Sequence, residues 1–448
     1  MLFRSSLAPG DLFVAIRGVR TDGHQYVAKA FEAGAGAAVV DRPVENLAAA
    51  HPLIWVDDTL RALNGLARAA RTRSRARIAA VTGSAGKTGT KEALALVLGR
   101  QPGVFASPAS FNNHWGVPLS LAQLGRDVEF GIFEMGMNHG GEIEPLSRLA
   151  RPHLALVTNV EAVHLGHFAS VEAIADAKAE VFAGIEPGGI AVINRDSEHF
   201  ARLAEAARAR GAARIVGFGE TEPADARLLA CDLEAEASTV SAIISGRALS
   251  YRLNLAGRHW ALNSLAVLAA VDALRGDVEA AAAALADWQV TEGRGRRYRV
   301  ALAGGELTLI DESYNANPAS VRAALAVLAA SVPEGGGRRI AVLGDMLELG
   351  SEGPALHVGL AGAIEASGAD LVFAVGPLMA RLHDALPADR RGGQAEDAQS
   401  LVGLVVDALA PGDVVTVKGS YGMGMGVVVG AIRTLAGAPS RMVNGGQG

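Results

Sequence analysis

Cysteine and aromatic residues are scarce in this 448-residue sequence. The single cysteine, Cys231, excludes an intrachain disulfide, a zinc ribbon and a disulfide-stapled secreted fold. Aromatic residues make up only 5% of the chain, whereas 54 residues are glycine. This glycine content is well above the average of about 7%, so we expect close packing by alanine and glycine.

Long apolar runs are also missing. The most apolar helical stretch, residues 261–274, is interrupted by Asn263, Ser264 and Asp272, whereas a membrane-spanning helix needs about 18 or more apolar residues. Residues 1–11 lack the apolar segment of a signal peptide. We therefore expect a cytoplasmic protein that does not insert into a membrane.

The sequence has no excess of positive charge. Lys and Arg number 41 and Asp and Glu 47, so the net charge is −6, which gives no general attraction to nucleic acid or to an anionic membrane. Five arginines cluster between Arg68 and Arg77. We interpret this cluster as a solvated helix end or linker and expect no nucleic-acid partner.

The pattern of apolar residues predicts three domains, as does the length at about 150 residues per domain. Residues 1–75 mix short apolar runs with helical stretches, as in a small α/β unit. Residues 76–295 alternate strand-like and helical segments, which is typical of βαβ units on a parallel sheet. Residues 296–448 repeat this alternation and indicate a second, Rossmann-like sheet. The predicted fold class is therefore α/β.

The strongest motif lies between an apolar strand and a helical pattern. Its residues are Gly83, Ser84, Ala85, Gly86, Lys87 and Thr88. In such a P-loop the backbone amides face phosphates, the lysine supplies a charge and the threonine hydroxyl binds Mg²⁺. The general pattern has glycine where this chain has Val81, so the loop is a shortened variant, and a plain strand-to-helix turn is the alternative. The middle domain is thus predicted to be a parallel-sheet ATPase domain that uses ATP and Mg²⁺.

Several polar residues follow the next strands and limit the classes of reaction that fit the sequence. Glu134 ends an apolar strand, where a carboxylate can reach a metal shared with the nucleotide. His164 follows the next strand, and Lys178 lies in the helical stretch 174–182. Taken singly, His164 fits an ordinary loop histidine and Lys178 a solvated helix lysine. A P-loop alone leaves kinase, GTPase, ATPase and ligase open.

Three segments together, residues 112–118, 134–139 and 311–318, resemble the Mur ligases. These enzymes use ATP to join amino acids to a UDP-linked muramoyl peptide. Within the family, the segments are similar to those of the member that adds D-alanyl-D-alanine to UDP-N-acetylmuramoyl-tripeptide. The resemblance covers nearly the whole chain and implies a monomer that forms an acyl phosphate before the amide.

The resemblance also implies roles for individual residues. The residues from Gly83 to Thr88 would hold the ATP phosphates. The implied Mg²⁺ ligands are Thr88, Glu134, His164 and Lys178, the last as a carbamate, and the implied catalytic residues are Lys87, His164 and Lys178. The remaining nucleotide contacts would be His259, Asn263, Arg294 and Asp311. The substrate contacts would be Asn112, Asn113, Asn315 and Asn317.

The sequence departs from the family in two places that concern ligands. Trp260 stands where asparagine is common, so an indole would replace a hydrogen-bonding amide and stack on a base. Residues 3–6 replace an Asp-Ser/Thr-Arg signature, and family chains begin earlier. We therefore expect either an upstream start or an altered UDP pocket in the first domain.

Other functions share parts of this pattern. Another Mur-type or folylpolyglutamate-type ligase would have the same short P-loop and lysine-bearing helix. A non-catalytic ATP-binding scaffold would keep the loop alone, and a P-loop kinase would explain neither Lys178 nor residues 311–318. Asn315 and Asn317 also fit a simple turn into a following helix. The third residue of the acceptor peptide, diaminopimelate or lysine, is left open.

Overall fold

The computed structural model of the chain describes residues 7–18, 21–45, 47–48, 50–99, 103–163, 165–435 and 441–442. The expectations for residues 3–6 and for His164 fall outside the described residues. Within them, the strands form three sheets of three, nine and seven strands. The predicted three-domain α/β fold is confirmed. No described helix combines the length and the apolarity that crossing a membrane requires.

The first unit is a small parallel sheet with two helices. Its strands are β1 (Leu12–Val14), β2 (Ala37–Val40) and β3 (Leu53–Trp55), and its helices are α1 (Val27–Glu32) and α2 (Thr59–Arg73). Asp58 starts α2, because its carboxylate accepts the Arg61 amide hydrogen at 2.7 Å.

Helix α2 packs against the middle unit, and this corrects one sequence interpretation. Arg71, which we expected on a solvated surface, is 5% exposed. Its guanidinium donates to the carbonyls of Ala150 (2.6 Å) and Arg151 (2.8 Å) and lies 3.6 Å from Glu186. The reason is that helix α5 (Ile143–Ala150) ends there, and the last carbonyls of a helix need a donor from outside it.

The middle unit is built on the nine-stranded sheet, with the strand order β12-β11-β10-β9-β8-β7-β4-β6-β5. Its strands are β4 (Arg77–Thr82), β5 (Val104–Ala106), β6 (Phe130–Glu134), β7 (Leu154–Val157), β8 (Ile190–Asn194), β9 (Arg214–Gly219), β10 (Ala226–Leu233), β11 (Ser238–Ile244) and β12 (Arg247–Leu253). Its helices are α3 (Lys87–Leu98), α4 (Gly116–Ala122), α5 (Ile143–Ala150), α6 (Val171–Ala179), α7 (Phe200–Ala209), α8 (Arg258–Ala273) and α9 (Val278–Ala284).

Alternation along β4 explains why this sheet is covered on both faces. Ala79 and Val81 belong to one buried cluster, and Ile78 and Ala80 to the cluster on the other face, because successive side chains of a strand point to opposite sides. The sheet is parallel from β5 to β10, as expected, but β10, β11 and β12 pair antiparallel. The sequence analysis did not predict this antiparallel extension.

The third unit has the strand order β17-β16-β15-β18-β14-β13-β19. Its strands are β13 (Arg296–Leu302), β14 (Gly305–Glu312), β15 (Arg339–Gly344), β16 (Leu371–Val375), β17 (Arg391–Ala395), β18 (Val414–Lys418) and β19 (Arg441–Met442). Its helices are α10 (Pro318–Ala330), α11 (Gly353–Val358), α12 (Ala361–Ser367), α13 (Pro377–Ala385), α14 (Ala398–Ala408) and α15 (Gly426–Arg433). The five strands from β17 to β14 are parallel, as predicted.

The fold brings the carboxyl ends of two parallel sheets to one cleft. The middle sheet contributes the loops after β4, β6, β7 and β8, and the third sheet contributes those after β14 and β18. Ligands in open α/β sheets bind at this edge. The cleft between the two sheets is therefore the candidate active site.

Candidate active site

The cleft has a volume of about 470 Å³ and collects most of the predicted residues. Those that line it are Ser84, Ala85, Gly86, Lys87, Asn112, Glu134, His259, Asn263, Arg294, Asn315 and Asn317. Gly83, Thr88, Asn113, Lys178 and Asp311 are not among the lining residues. They lie behind the lining residues or on neighbouring elements.

The glycine loop is shaped by two glycines in conformations that other residues avoid. Gly83 has φ +149°, and a Cβ there would lie 1.8 Å from Oγ1 of Thr158. Gly86 has φ +78° and lies against the Asn263 amide. The Ala85 amide hydrogen is donated to Oδ1 of Asn159 at 2.8 Å, which holds the curve of the loop. This is the backbone geometry that a phosphate cradle requires.

Lys87 begins helix α3 and turns back over the loop. Its Nζ donates to the Gly83 carbonyl at 2.7 Å. Burial lowers the pKa of Lys87, the nearby Arg294 lowers it further, and Glu134 raises it. An anionic phosphate next to Nζ acts in the direction of Glu134, so the site favours the charged lysine most when an anion is bound.

Thr88, Glu134 and Asn112 form one hydrogen-bonded group beside the loop. Oγ1 of Thr88 donates to Oε2 of Glu134, and Nδ2 of Asn112 donates to Oε1, both at 2.7 Å. Glu134 is 1% exposed, so its orientation is fixed. Among the described residues no group of three or more His, Cys, Asp or Glu side chains forms a metal cluster. Mg²⁺ at a nucleotide usually takes only one or two protein ligands with phosphates and water, and a hydroxyl beside a carboxylate fits that requirement.

Lys178 lies on α6 and is 2% exposed. Burial lowers its pKa well below the usual value, and the charge of Lys87 lowers it further. The solvated-lysine interpretation is therefore wrong for this position. A lowered pKa favours the neutral amine, which is the form that reacts with carbon dioxide, and conversion to an anionic carbamate relieves the repulsion by Lys87.

The segment at the start of α8 forms another wall of the cleft. Burial and the ammonium of Lys418 lower the pKa of His259 to about 4, so its imidazole is neutral near pH 7. Trp260 lies mainly in the core, with its ring 5.1 Å from that of Trp288 in an edge-on arrangement. The indole is thus largely packed inside the protein, yet it also lines the cleft, and the stacking of a base on it stays a prediction.

The junction with the third unit carries Arg294. Its guanidinium lies 4.0 Å from the ring centre of Tyr314, and Nη2 donates to Oγ of Ser110 at 3.2 Å. Asp311 is 3% exposed and accepts the Gly293 amide hydrogen at 2.9 Å and the Ser313 hydroxyl at 2.6 Å. In this structure Asp311 thus orders the turn that presents Arg294.

The four predicted substrate asparagines have different surroundings. Asn113 accepts the amide hydrogens of Trp115 and Gly116, so it shapes the turn before α4 and lies away from the cleft. Asn317 caps α10 by accepting the Ser320 amide hydrogen at 2.8 Å while lining the cleft. The turn interpretation of this segment is therefore correct and is compatible with a position at the ligand site.

Two further lysines lie near the cleft, Lys91 and Lys418, and the sequence analysis assigned no role to either. Nζ of Lys418 donates to Glu312 (3.2 Å) and to the Asn315 carbonyl (3.0 Å). A signal was present, because only five of the 41 basic residues are lysines. In a chain that uses arginine almost everywhere, a retained lysine indicates a position that needs a compact ammonium. Four of the five lie at or next to the cleft, and Lys29 is exposed.

Family models match the chain along most of its length. The matches are a Mur ligase family catalytic domain over residues 5–71, a Mur ligase middle domain over 81–271 and a Mur ligase glutamate ligase domain over 295–421.

Similar proteins cover the chain nearly end to end. A Synechocystis protein named UDP-N-acetylmuramoyl-tripeptide--D-alanyl-D-alanine ligase is 38% identical and covers 95% of this chain and 89% of its own. The protein of the same name from Escherichia coli is 35% identical, covering 95% and 92%. Among solved structures, MurF from Acinetobacter baumannii has a TM-score of 0.83 at 28% identity, covering 96% and 92%. MurF from Thermotoga maritima in complex with ADP has a TM-score of 0.80 at 25% identity, covering 97% of each chain.

Proposed function

Because this chain belongs to the Mur ligase family, we propose that it joins D-alanyl-D-alanine to UDP-N-acetylmuramoyl-tripeptide at the expense of ATP in peptidoglycan precursor synthesis. The main support is full-length similarity to ligases of that name at 31–38% identity. The cleft agrees with this assignment, since a glycine loop faces Asn315 and Asn317 across it.

The glycine loop and Lys87 bind the triphosphate in this proposal. The terminal carboxylate of the tripeptide attacks the γ-phosphate and gives an acyl phosphate with release of ADP. The amine of the dipeptide then displaces phosphate and forms the amide. No side-chain nucleophile is needed, so the contribution of the protein is positioning and electrostatic stabilisation.

Thr88 and Glu134 are the proposed protein ligands of Mg²⁺, with Lys178 as a carbamate and His164 as further members of the site. When bound, Mg²⁺ offsets the charge of the phosphates and of the attacking carboxylate. Asn112 keeps Glu134 oriented for this role. We assign His259 and Asn263, which line the cleft, to the nucleoside side of the loop, because a neutral His259 suits an uncharged base.

We assign the UDP moiety to residues 1–75, ATP to 76–295 and the incoming dipeptide to 296–448. Acyl phosphates hydrolyse, and a site shared by two units excludes water when those units close. Arg294 and Asp311 lie at the junction of these two units, so we propose that they bind the nucleotide when the units close. Both nucleotide substrates belong to the cytoplasm, which supports the expected location, and we propose that the enzyme acts as a monomer.

A product assay tests the proposal. Purified protein with ATP, Mg²⁺, D-alanyl-D-alanine and UDP-muramoyl-tripeptide should yield the pentapeptide, ADP and phosphate by mass spectrometry. Parallel reactions with diaminopimelate or lysine at position three identify the preferred acceptor. ADP release only with a different acceptor or amino acid would assign the chain to another Mur-type or folylpolyglutamate-type reaction.

Lys87→Ala separates a ligase from an ATP-binding scaffold. A ligase loses turnover by about two to three orders of magnitude, because the charge that balances the phosphates is gone. A scaffold has no turnover to lose. Lys29→Ala, which removes an exposed lysine, is the matched control and should keep the rate of the unmodified enzyme.

A further inference from the structure

Lys91 follows Lys87 by one turn of α3, yet it faces the protein interior and is 0% exposed. Its Nζ donates to the carbonyls of Ser107 (2.7 Å) and Ala109 (2.6 Å) and lies 2.8 Å from Oε1 of Glu92. An ammonium group has three N–H donors and no acceptor. Three acceptors at these distances use all of them, so Lys91 has no donor left for a ligand and acts on protein groups alone.

The groups that Lys91 holds belong to the segment 107–112, which connects β5 to the turn before α4. Ala109 in this segment has φ +44°, a left-handed conformation that a residue with a Cβ avoids. The Ala109 carbonyl is one of the acceptors of Lys91. The buried charge therefore stabilises a turn that the local sequence does not favour.

The same segment carries contacts to the proposed catalytic machinery. Oγ of Ser107 accepts the Glu134 amide hydrogen at 3.3 Å, and Oγ of Ser110 accepts from Arg294 at 3.2 Å. Asn112 donates to the Glu134 carboxylate. A displacement of segment 107–112 would thus change the orientations of Glu134 and Arg294 relative to the glycine loop.

We propose that Lys91 is a positioning residue whose ammonium fixes segment 107–112 against helix α3. Glu134 and Arg294 thereby keep their positions relative to the glycine loop. This inference rests on the proposed function, because the reaction that Lys91 supports is the proposed ligase reaction. Arginine cannot take this place, because a planar guanidinium does not match three oxygens that converge on one point. This explains why a chain with 36 arginines and five lysines has lysine here.

Lys91→Met in the full-length protein tests the proposal, since it keeps the stem and removes the ammonium. We expect kcat to fall by about 30- to 100-fold, because a shift of catalytic groups by about 1 Å causes a loss of this size. The Kd for ADP should change less than about threefold, because the contacts of the glycine loop to Asn159 remain. Hydrogen–deuterium exchange should rise in a peptide covering 103–113 and stay unchanged in one covering 80–90. Lys29→Met is the matched control for all three measurements.

Two results would overturn the positioning role: a folded Lys91→Met enzyme with kcat within about twofold of the original, or a Kd for ADP that worsens in parallel with kcat. Lys91→Gln, which keeps two N–H donors, is the second variant if Lys91→Met does not fold. Failure of both to fold would mean that Lys91 serves the fold as a whole and would also contradict the proposal. Exchange and ADP affinity need no muramoyl substrate, so they test Lys91 even if the wild-type protein makes no pentapeptide.

Discussion

The hydroxyl of Thr88 lies 2.7 Å from Oε2 of Glu134 and donates to it. Thr88 is the second residue of the helix after the glycine loop, and Glu134 ends strand β6, next to β4 in the sheet. The parallel order of the sheet therefore brings a phosphate cradle and a buried carboxylate together. The proposed magnesium site depends on this contact.

Glu134→Gln keeps the shape of the side chain and removes its charge. We expect kcat to fall by about 10²- to 10³-fold, because the variant loses an anionic metal ligand. The Mg²⁺ concentration for half-maximal rate should rise. Initial rates over a Mg²⁺ series measure both effects, and Thr88→Ser, which keeps the hydroxyl, should change the rate much less. An unchanged Mg²⁺ dependence in Glu134→Gln would remove this residue from the metal site.

Lys178→Ala tests the carbamate. The structure buries this amine beside Lys87 and thereby lowers its pKa, which favours the nucleophilic neutral form. We expect at least about a 10²-fold loss of rate and partial recovery with added acetate or another short carboxylate. Lys29→Ala should be neither impaired nor stimulated by carboxylate. Full activity of Lys178→Ala without rescue would exclude a mechanistic carbamate.

His259 should make stability depend on pH between about 4 and 6.5, its folded and ordinary pKa values. In that window the unfolded chain binds a proton that the folded chain does not, so acidification favours unfolding. The stability is fully present above pH 6.5 and is lost as the pH falls toward 4, in total about 3 kcal/mol, of which about 2 kcal/mol is lost by pH 5. Urea unfolding of wild type and His259→Gln at pH 5 and pH 7.5 measures this. The variant should lose less stability at pH 5 than wild type does, and an equal loss would contradict the burial of the imidazole.

Arg71 joins the first unit to the middle unit through the end of α5. Arg71→Met should destabilise the protein by about 2–4 kcal/mol, since one buried and one partly buried carbonyl lose their donor. Arg68→Met on the exposed face of the same helix should cost less than about 0.5 kcal/mol. Urea or thermal unfolding compares them. Equal stability of the two variants would mean that the Arg71 contacts contribute nothing.

The family and the three-domain α/β fold could be predicted from the sequence and are confirmed. Strands such as β7 and β16 coincide with continuous apolar runs between polar or glycine-containing turns, so the sequence identifies them with little ambiguity. The antiparallel strands β11 and β12 were missed. Their half-exposed alternation gives a weak signal next to long alanine-rich helices.

The environment of single residues was harder to predict. Arg71, Lys91 and Lys178 are polar residues on helices, and only the packing of other elements against them makes them buried. Trp260 lines the cleft, but its edge-on contact with Trp288, distant by 28 positions in sequence, could not be predicted. Such contacts depend on tertiary structure, which local patterns do not contain.

The most direct test of the proposed reaction uses tripeptide substrate with oxygen-18 in its terminal carboxylate. If ATP cleavage activates this carboxylate, the phosphate released with the pentapeptide should carry one oxygen-18 atom, as seen by mass spectrometry. Unlabelled phosphate accompanying pentapeptide formation would contradict the acyl-phosphate mechanism, and ATP cleavage without pentapeptide would contradict the proposed function itself.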